Sequence, residues 1–135
     1  MKLITRDTDY ALRAVCFIAK SEKTIVSVEE LVEKLSIPRS FLRKILQVLN
    51  RKRILRSYKG SGGGFVLAKP ANRVFLIDLI RIFQGPLVLS ECFLKKMLCP
   101  NIKICPLRKK LDKIEKFVIK ELSSITITSL SAHKT

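Results

Sequence analysis

Apolar positions recur at helical spacing in five separated stretches of this chain, and one interval between them reads instead as two strands around a turn. From Asp7 to Lys20, Ala11, Leu12, Val15, Ile18 and Ala19 fall on one helical face. Ser27 followed by Glu30 is a capping box, in which the Ser hydroxyl accepts from the Glu30 N–H and the Glu side chain reaches back. It predicts a second helix from about Val28 to Leu35 that buries Val28, Leu31, Val32 and Leu35. After Ser36-Ile37-Pro38 a third helix begins, with Pro38 in its first turn, where a missing N–H costs nothing. Helix, short break and helix form a helix-turn-helix.

The third helix divides into two faces. Phe41, Leu42, Ile45, Leu46, Val48 and Leu49 lie on one side, and Ser40, Arg43, Lys44, Gln47 and Arg51 on the other. The polar face carries no acid. Arg and Gln can read guanine and adenine edges in the major groove, while Lys and Ser more often hold phosphates. Next, Leu55 to Lys59 and Phe65 to Lys69 are strand-like and flank Gly60-Ser61-Gly62-Gly63-Gly64, which predicts a hairpin with a flexible tip. A phosphate loop is excluded because no Lys-Ser/Thr pair follows the glycines and no helix opens there. The hairpin is therefore read as a wing that sets Arg56 and Lys59 beside a DNA backbone.

Helical spacing returns from Phe75 to Phe83 and stops at Gly85-Pro86. Leu87 to Ile104 is a cysteine-bearing segment, expected to be helical as far as Met97. From Pro106, Leu107, Leu111, Ile114, Val118 and Leu122 form an apolar stripe with no obvious partner inside one chain, so pairing with the same helix of a second copy is the economical expectation. Ile125 to Leu130 would cap that helix and the last residues would fray. The expected fold is mainly α with a small β-hairpin wing: a winged helix-turn-helix (1–86), a cysteine segment (87–105), and a dimerisation helix with C-terminal tail (106–135).

Composition sharpens this picture in two ways. The 135-residue chain has a formal charge of +16, and Pro38 to Lys59 holds eight Lys or Arg (Arg39, Arg43, Lys44, Arg51, Lys52, Arg53, Arg56 and Lys59) without one acid. Double-stranded DNA is the expected partner. Three of the four cysteines, Cys92, Cys99 and Cys105, fall within fourteen residues, ringed by Lys95, Lys96, Lys103, Arg108, Lys109, Lys110 and Lys113. Clustered thiolates are ligands for soft metals and iron-sulfur clusters. The only histidine, His133, is near the C-terminus, which leaves no material for histidine-based catalysis, so no enzymatic activity is expected. Asp7, Asp9 and Arg13 stand where a signal peptide would need an apolar run, and no eighteen-residue apolar stretch exists, so a cytoplasmic protein without a membrane partner is expected. Zinc sites favour paired cysteines with gaps of two to four residues, whereas the gaps here are six and five. Metal-free redox thiols remain open. Cys16, near Ala19 on the apolar side of the first helix, reads as a core thiol.

The run SYKGSGGGFVLAKP, followed by FLIDLIRIFQGP, three cysteines and a long helix ending ITITSL, together with the opening TDYALRA, resembles the winged-helix iron-sulfur regulators that include IscR, NsrR and RirA. The resemblance runs from Met1 to about Leu130. It implies a homodimeric transcription factor, most simply a repressor at a palindromic operator, with a [2Fe-2S] or [4Fe-4S] cluster on Cys92, Cys99 and Cys105 controlling DNA binding in response to iron, nitric oxide or redox state. Some relatives carry a histidine three residues after the third cysteine, where this chain has Arg108. Others use an aspartate of the first helix from the partner chain, which matches Asp9, with Asp7 and Glu91 as fallback carboxylates. Relatives without the cysteines also exist. The rivals are a metal-free thiol-sensing regulator of the same fold, a non-specific architectural nucleic-acid binder, and a thiol-sensing partner of an enzyme; the acid-free recognition helix disfavours the last.

Overall fold

The amphipathic stretches fold as helices in the computed structural model, which describes residues 2–89 and 105–131. Helix α1 (Arg6–Lys20) buries Ala11, Ala14, Val15 and Ile18, with Asp7 and Asp9 in its first turn and Lys20 in its last, the placement its dipole favours. Helix α2 (Val28–Leu35) opens on Ser27, whose Oγ accepts the Glu30 N–H at 3.1 Å. Only half of the capping box forms, because the Glu30 carboxylate pairs with Lys23 Nζ at 3.1 Å instead of turning back. Ser36, left-handed at φ 55, ends α2 and donates its N–H to Val32 at 3.0 Å.

Helix α3 (Arg39–Arg51) starts one residue later than the first-turn proline predicts, with Pro38 as its N-cap. Leu42, Leu46 and Leu49 are fully buried and Ile45 nearly so. Each such side chain contributes roughly 1.5–3 kcal/mol relative to exposure. Phe41 departs from the expected buried face: it is 39% exposed.

The strands are β1 (Leu55–Tyr58) and β2 (Gly64–Leu67), antiparallel, in register from Leu55 opposite Leu67 to Tyr58 opposite Gly64. Val26, just before α2, adds an antiparallel bridge to Phe65, exchanging bonds of 3.0 and 2.8 Å. That bridge explains Gly64, where a Cβ would strike the Val26 carbonyl; at Gly63 it would strike the Tyr58 carbonyl.

A single turn of 3-10 helix (Ala71–Arg73) leads to α4 (Leu76–Gln84), opened by the Asp78 carboxylate accepting the Phe75 N–H at 3.1 Å and closed by Gly85 at φ 79. Helices α5 (Pro106–Ser123) and α6 (Ile127–Ser131) complete the described chain. One core gathers α1, α2, α3 and the hairpin with Leu79; the second joins Leu76, Ile77 and Ile80 of α4 to Leu122 of α5. Leu12 of α1 packs against both. The stretch expected to cap α5 returns to the winged helix: Phe75 bridges Thr126, and Ile127 lies fully buried in the first core. Among the described residues no helix is long and apolar enough to cross a membrane.

Candidate nucleic-acid interface and cysteine segment

Because α3 uses its leucines and Ile45 to seat against α1 and α2, its other side is left to solvent. Ser40, Arg43, Lys44, Gln47 and Arg51 are all exposed there, as are Arg56 on β1 and Lys59 just beyond it. The structure thus brings the seven expected DNA-facing residues onto one helix and its adjoining hairpin. A groove of about 450 Å³ runs between α3 and the hairpin, with Arg43 and Gln47 on one wall and Tyr58 and Lys59 on the other. Asn50 holds the two walls together by accepting the Ser57 N–H at 3.2 Å.

One carboxylate borders this groove, supplied by α2 and therefore invisible in the acid-free run of α3. Glu29 binds Arg39 Nη1 at 3.0 Å. Its own backbone N–H at the helix start and the Arg39 guanidinium, with Arg43 adding attraction, hold the Glu29 carboxyl below its ordinary range. Arg39 is thereby partly neutralised, while Arg43 keeps its side chain toward the groove. At the same N-terminal end of α3, the Arg6 guanidinium from α1 lies 4.9 Å from the centre of the Phe41 ring. That cation-π contact accounts for a phenylalanine at the surface.

Of the expected metal ligands, Cys105 and Asp9 are within the described residues; Cys92, Cys99 and the fallback Glu91 lie outside them, as does His133. Cys105 is the N-cap of α5, a partly exposed free thiol whose carbonyl accepts the Lys109 N–H at 3.2 Å. Asp9 sits partly exposed on α1 and pairs with Arg13 at 3.0 Å. Burial raises the Cys16 thiol above its ordinary value, with the charge of Lys20 opposing, as suits a thiol packed against the core. Arg108 lies in the first turn of α5; its Nη1 is buried without a hydrogen-bond partner among the described residues, and its Nε is 3.8 Å from Asp112. Among the described residues no three His, Cys, Asp or Glu side chains are grouped to hold a metal.

A polar clamp that helical spacing does not reveal lies at the end of α4. Gln84, the last residue of α4, accepts the buried Thr8 hydroxyl at 2.6 Å and the Thr5 N–H at 3.0 Å, and donates from Nε2 to the Leu3 carbonyl at 3.1 Å. One side chain thus ties the start of α1 to the end of α4.

A winged helix-turn-helix followed by a cysteine segment and a long C-terminal helix is the architecture of a known class of regulators. The Rrf2 family model, that of an iron-dependent transcriptional regulator, matches residues 4–133, and the chain belongs to this family. It is similar to the HTH-type transcriptional regulator NsrR of Oceanobacillus iheyensis, 33% identical over 125 residues, covering 91% of this chain and 85% of that protein. Protein aau3 of Rhizobium meliloti is 28% identical over 128 residues, covering 94% and 83%. Among solved structures, CymR, the global cysteine regulator of B. subtilis, superposes with a TM-score of 0.83 at 21% identity, both chains covered fully. IscR of T. potens gives 0.74 at 21%, covering 96% of this chain and 85% of that one. The protein is a transcriptional regulator and not an enzyme.

Proposed function

We propose that this regulator binds a palindromic operator as a homodimer, most simply as a repressor, and that an iron-sulfur cluster held by Cys92, Cys99 and Cys105 controls that binding. Arg43 and Gln47 read base edges; Ser40, Lys44, Arg51, Arg56 and Lys59 hold the backbone. The observation that carries the DNA reading is the exposed polar face of α3, set beside the hairpin with Glu29 engaged by Arg39. The leucine and isoleucine stripe of α5 serves the second copy, since Leu107 and Ile114 are 66% and 50% exposed.

Two features at the start of α5 support a cluster. Cys105 is a free, partly exposed thiol, and Arg108, three residues on and paired at Nε with Asp112, keeps an Nη1 without a hydrogen-bond partner among the described residues, a donor suited to a thiolate-bound group of negative charge. When bound, such a group supplies redox and nitric oxide reactivity and ties the cysteines together. Asp9 of the partner subunit is proposed as the fourth ligand: an oxygen ligand is weaker than thiolate and more readily displaced by a small molecule. Asp9 stands on α1, whose first turn is clamped to Gln84 and whose Arg6 covers Phe41 of α3, so a ligand there would connect the group to the recognition helix.

Anaerobic purification with a visible spectrum and iron and sulfide assays tests this. Cys105→Ser is expected to remove the colour, Cys16→Ser to keep it, and Asp9→Ala to change the response to nitric oxide. The fold shared with the cysteine regulator CymR, whose Staphylococcus aureus form has also been solved oxidised, supports metal-free thiol sensing as the second reading. A colourless, iron-free protein after anaerobic reconstitution would select it.

A further inference from the structure

Basic side chains on this protein are not confined to α3 and the outer wing. Lys52 follows α3, Lys69 follows β2 and Arg81 lies on α4, yet all three line one surface depression of about 250 Å³. All three are exposed, and among the described residues none has a carboxylate within ion-pairing distance. The single acid at its rim, Asp78, accepts the Phe75 N–H at 3.1 Å, and the three cations outnumber it. Lys69 also lines the adjoining depression with Arg53 and Arg56, so the cations form an unbroken path from the hairpin root to α4. The path reaches the α3 groove through Asn50, which borders both.

Three cations drawn from separate elements to one small concavity make an anion site of phosphate size, and its continuity with Arg56 favours a duplex backbone over any other polyanion. We infer that Lys52, Lys69 and Arg81 form a second backbone-binding surface, at the root of the wing, that holds a phosphate of the same duplex outside the stretch gripped by α3. This inference rests on the DNA-binding reading above. It adds affinity without base preference and extends the site each protomer covers.

The test measures binding of the full-length protein to a mixed-sequence duplex of roughly three helical turns across a salt series, and to a sequence selected by the protein itself. Lys69→Gln with Arg81→Gln should lower the slope of log affinity against log salt by about one unit per lost contact, equally on both duplexes. Lys69→Arg should retain the wild-type slope. An unchanged slope in the double variant overturns the inference, and if Arg43→Ala still relaxes sequence preference, the DNA-binding reading stands without it. Loss of binding to polyglutamate at an unchanged DNA slope also overturns it and assigns the face to an acidic protein. A wild-type protein that binds neither duplex overturns the inference and the reading together.

Discussion

Helices α3 and α5 carry apolar stripes of similar regularity and meet opposite fates. In α3 the leucines at 42, 46 and 49 vanish completely into the first core. In the 18-residue α5, Leu122 is the buried residue, while Leu107, Ile114 and Phe117 are 66%, 50% and 63% exposed. A stripe used inside the chain makes a helix rigid and frees its polar side for a ligand; a stripe left outside calls for another surface to cover it.

The contrast is broken most directly in the core. Leu46→Ala should lower the unfolding free energy by about 2–5 kcal/mol, read from a denaturant midpoint, because a closely packed site cannot collapse around the void. Ile114→Ala, the same kind of truncation on α5, should stay within about 0.5 kcal/mol for the monomer; equal losses would mean that the two helices are alike after all. Next in size, Arg43→Ala should cost about 1–3 kcal/mol at the selected sequence and relax base preference, with no change in the denaturation midpoint. Phe117→Ala should leave the fold intact and weaken self-association by more than about 1 kcal/mol, seen by sedimentation as dissociation at higher concentration.

The smallest effect concerns Cys16. Its folded thiol keeps its proton above the ordinary value of 9.0, so beyond that pH the unfolded chain binds fewer protons and stability falls as pH rises. Cys16→Ala should flatten the decline in melting temperature between about pH 8 and 10. A decline that persists in the variant would place its origin elsewhere.

What local pattern could convey is visible in α2, whose predicted span matches the observed Val28–Leu35, and in the hairpin, whose strands flank the glycines as read. What it could not convey depends on partners distant in sequence. Phe41 is apolar and sits on the apolar side of α3 by spacing, yet Arg6 from α1 makes the surface a tolerable place for it. Val26 carries no strand signal, but Phe65 gives it a bridge. Glu29 enters the groove from a different helix from the one that supplies its cations. For the candidate site, the exposure of Ser40, Arg43, Lys44, Gln47 and Arg51 followed from helical period alone. The Arg13 partner of Asp9 is a simple i,i+4 pair that sequence could have offered. The buried, unpartnered Nη1 of Arg108 had no sequence signal, since a charged residue beside a charged run normally reads as solvated.

Ile127 occupies a place in the first core beside the helix that begins at Arg6. During synthesis the ribosome delivers α1 early and α6 late, so the hydrophobic wall of α1 stays incomplete until nearly all the intervening chain has emerged. Closing that gap is a long-range contact, which slows the final step of folding. The nascent regulator therefore acquires a finished winged-helix core only when its cysteine segment has already been made.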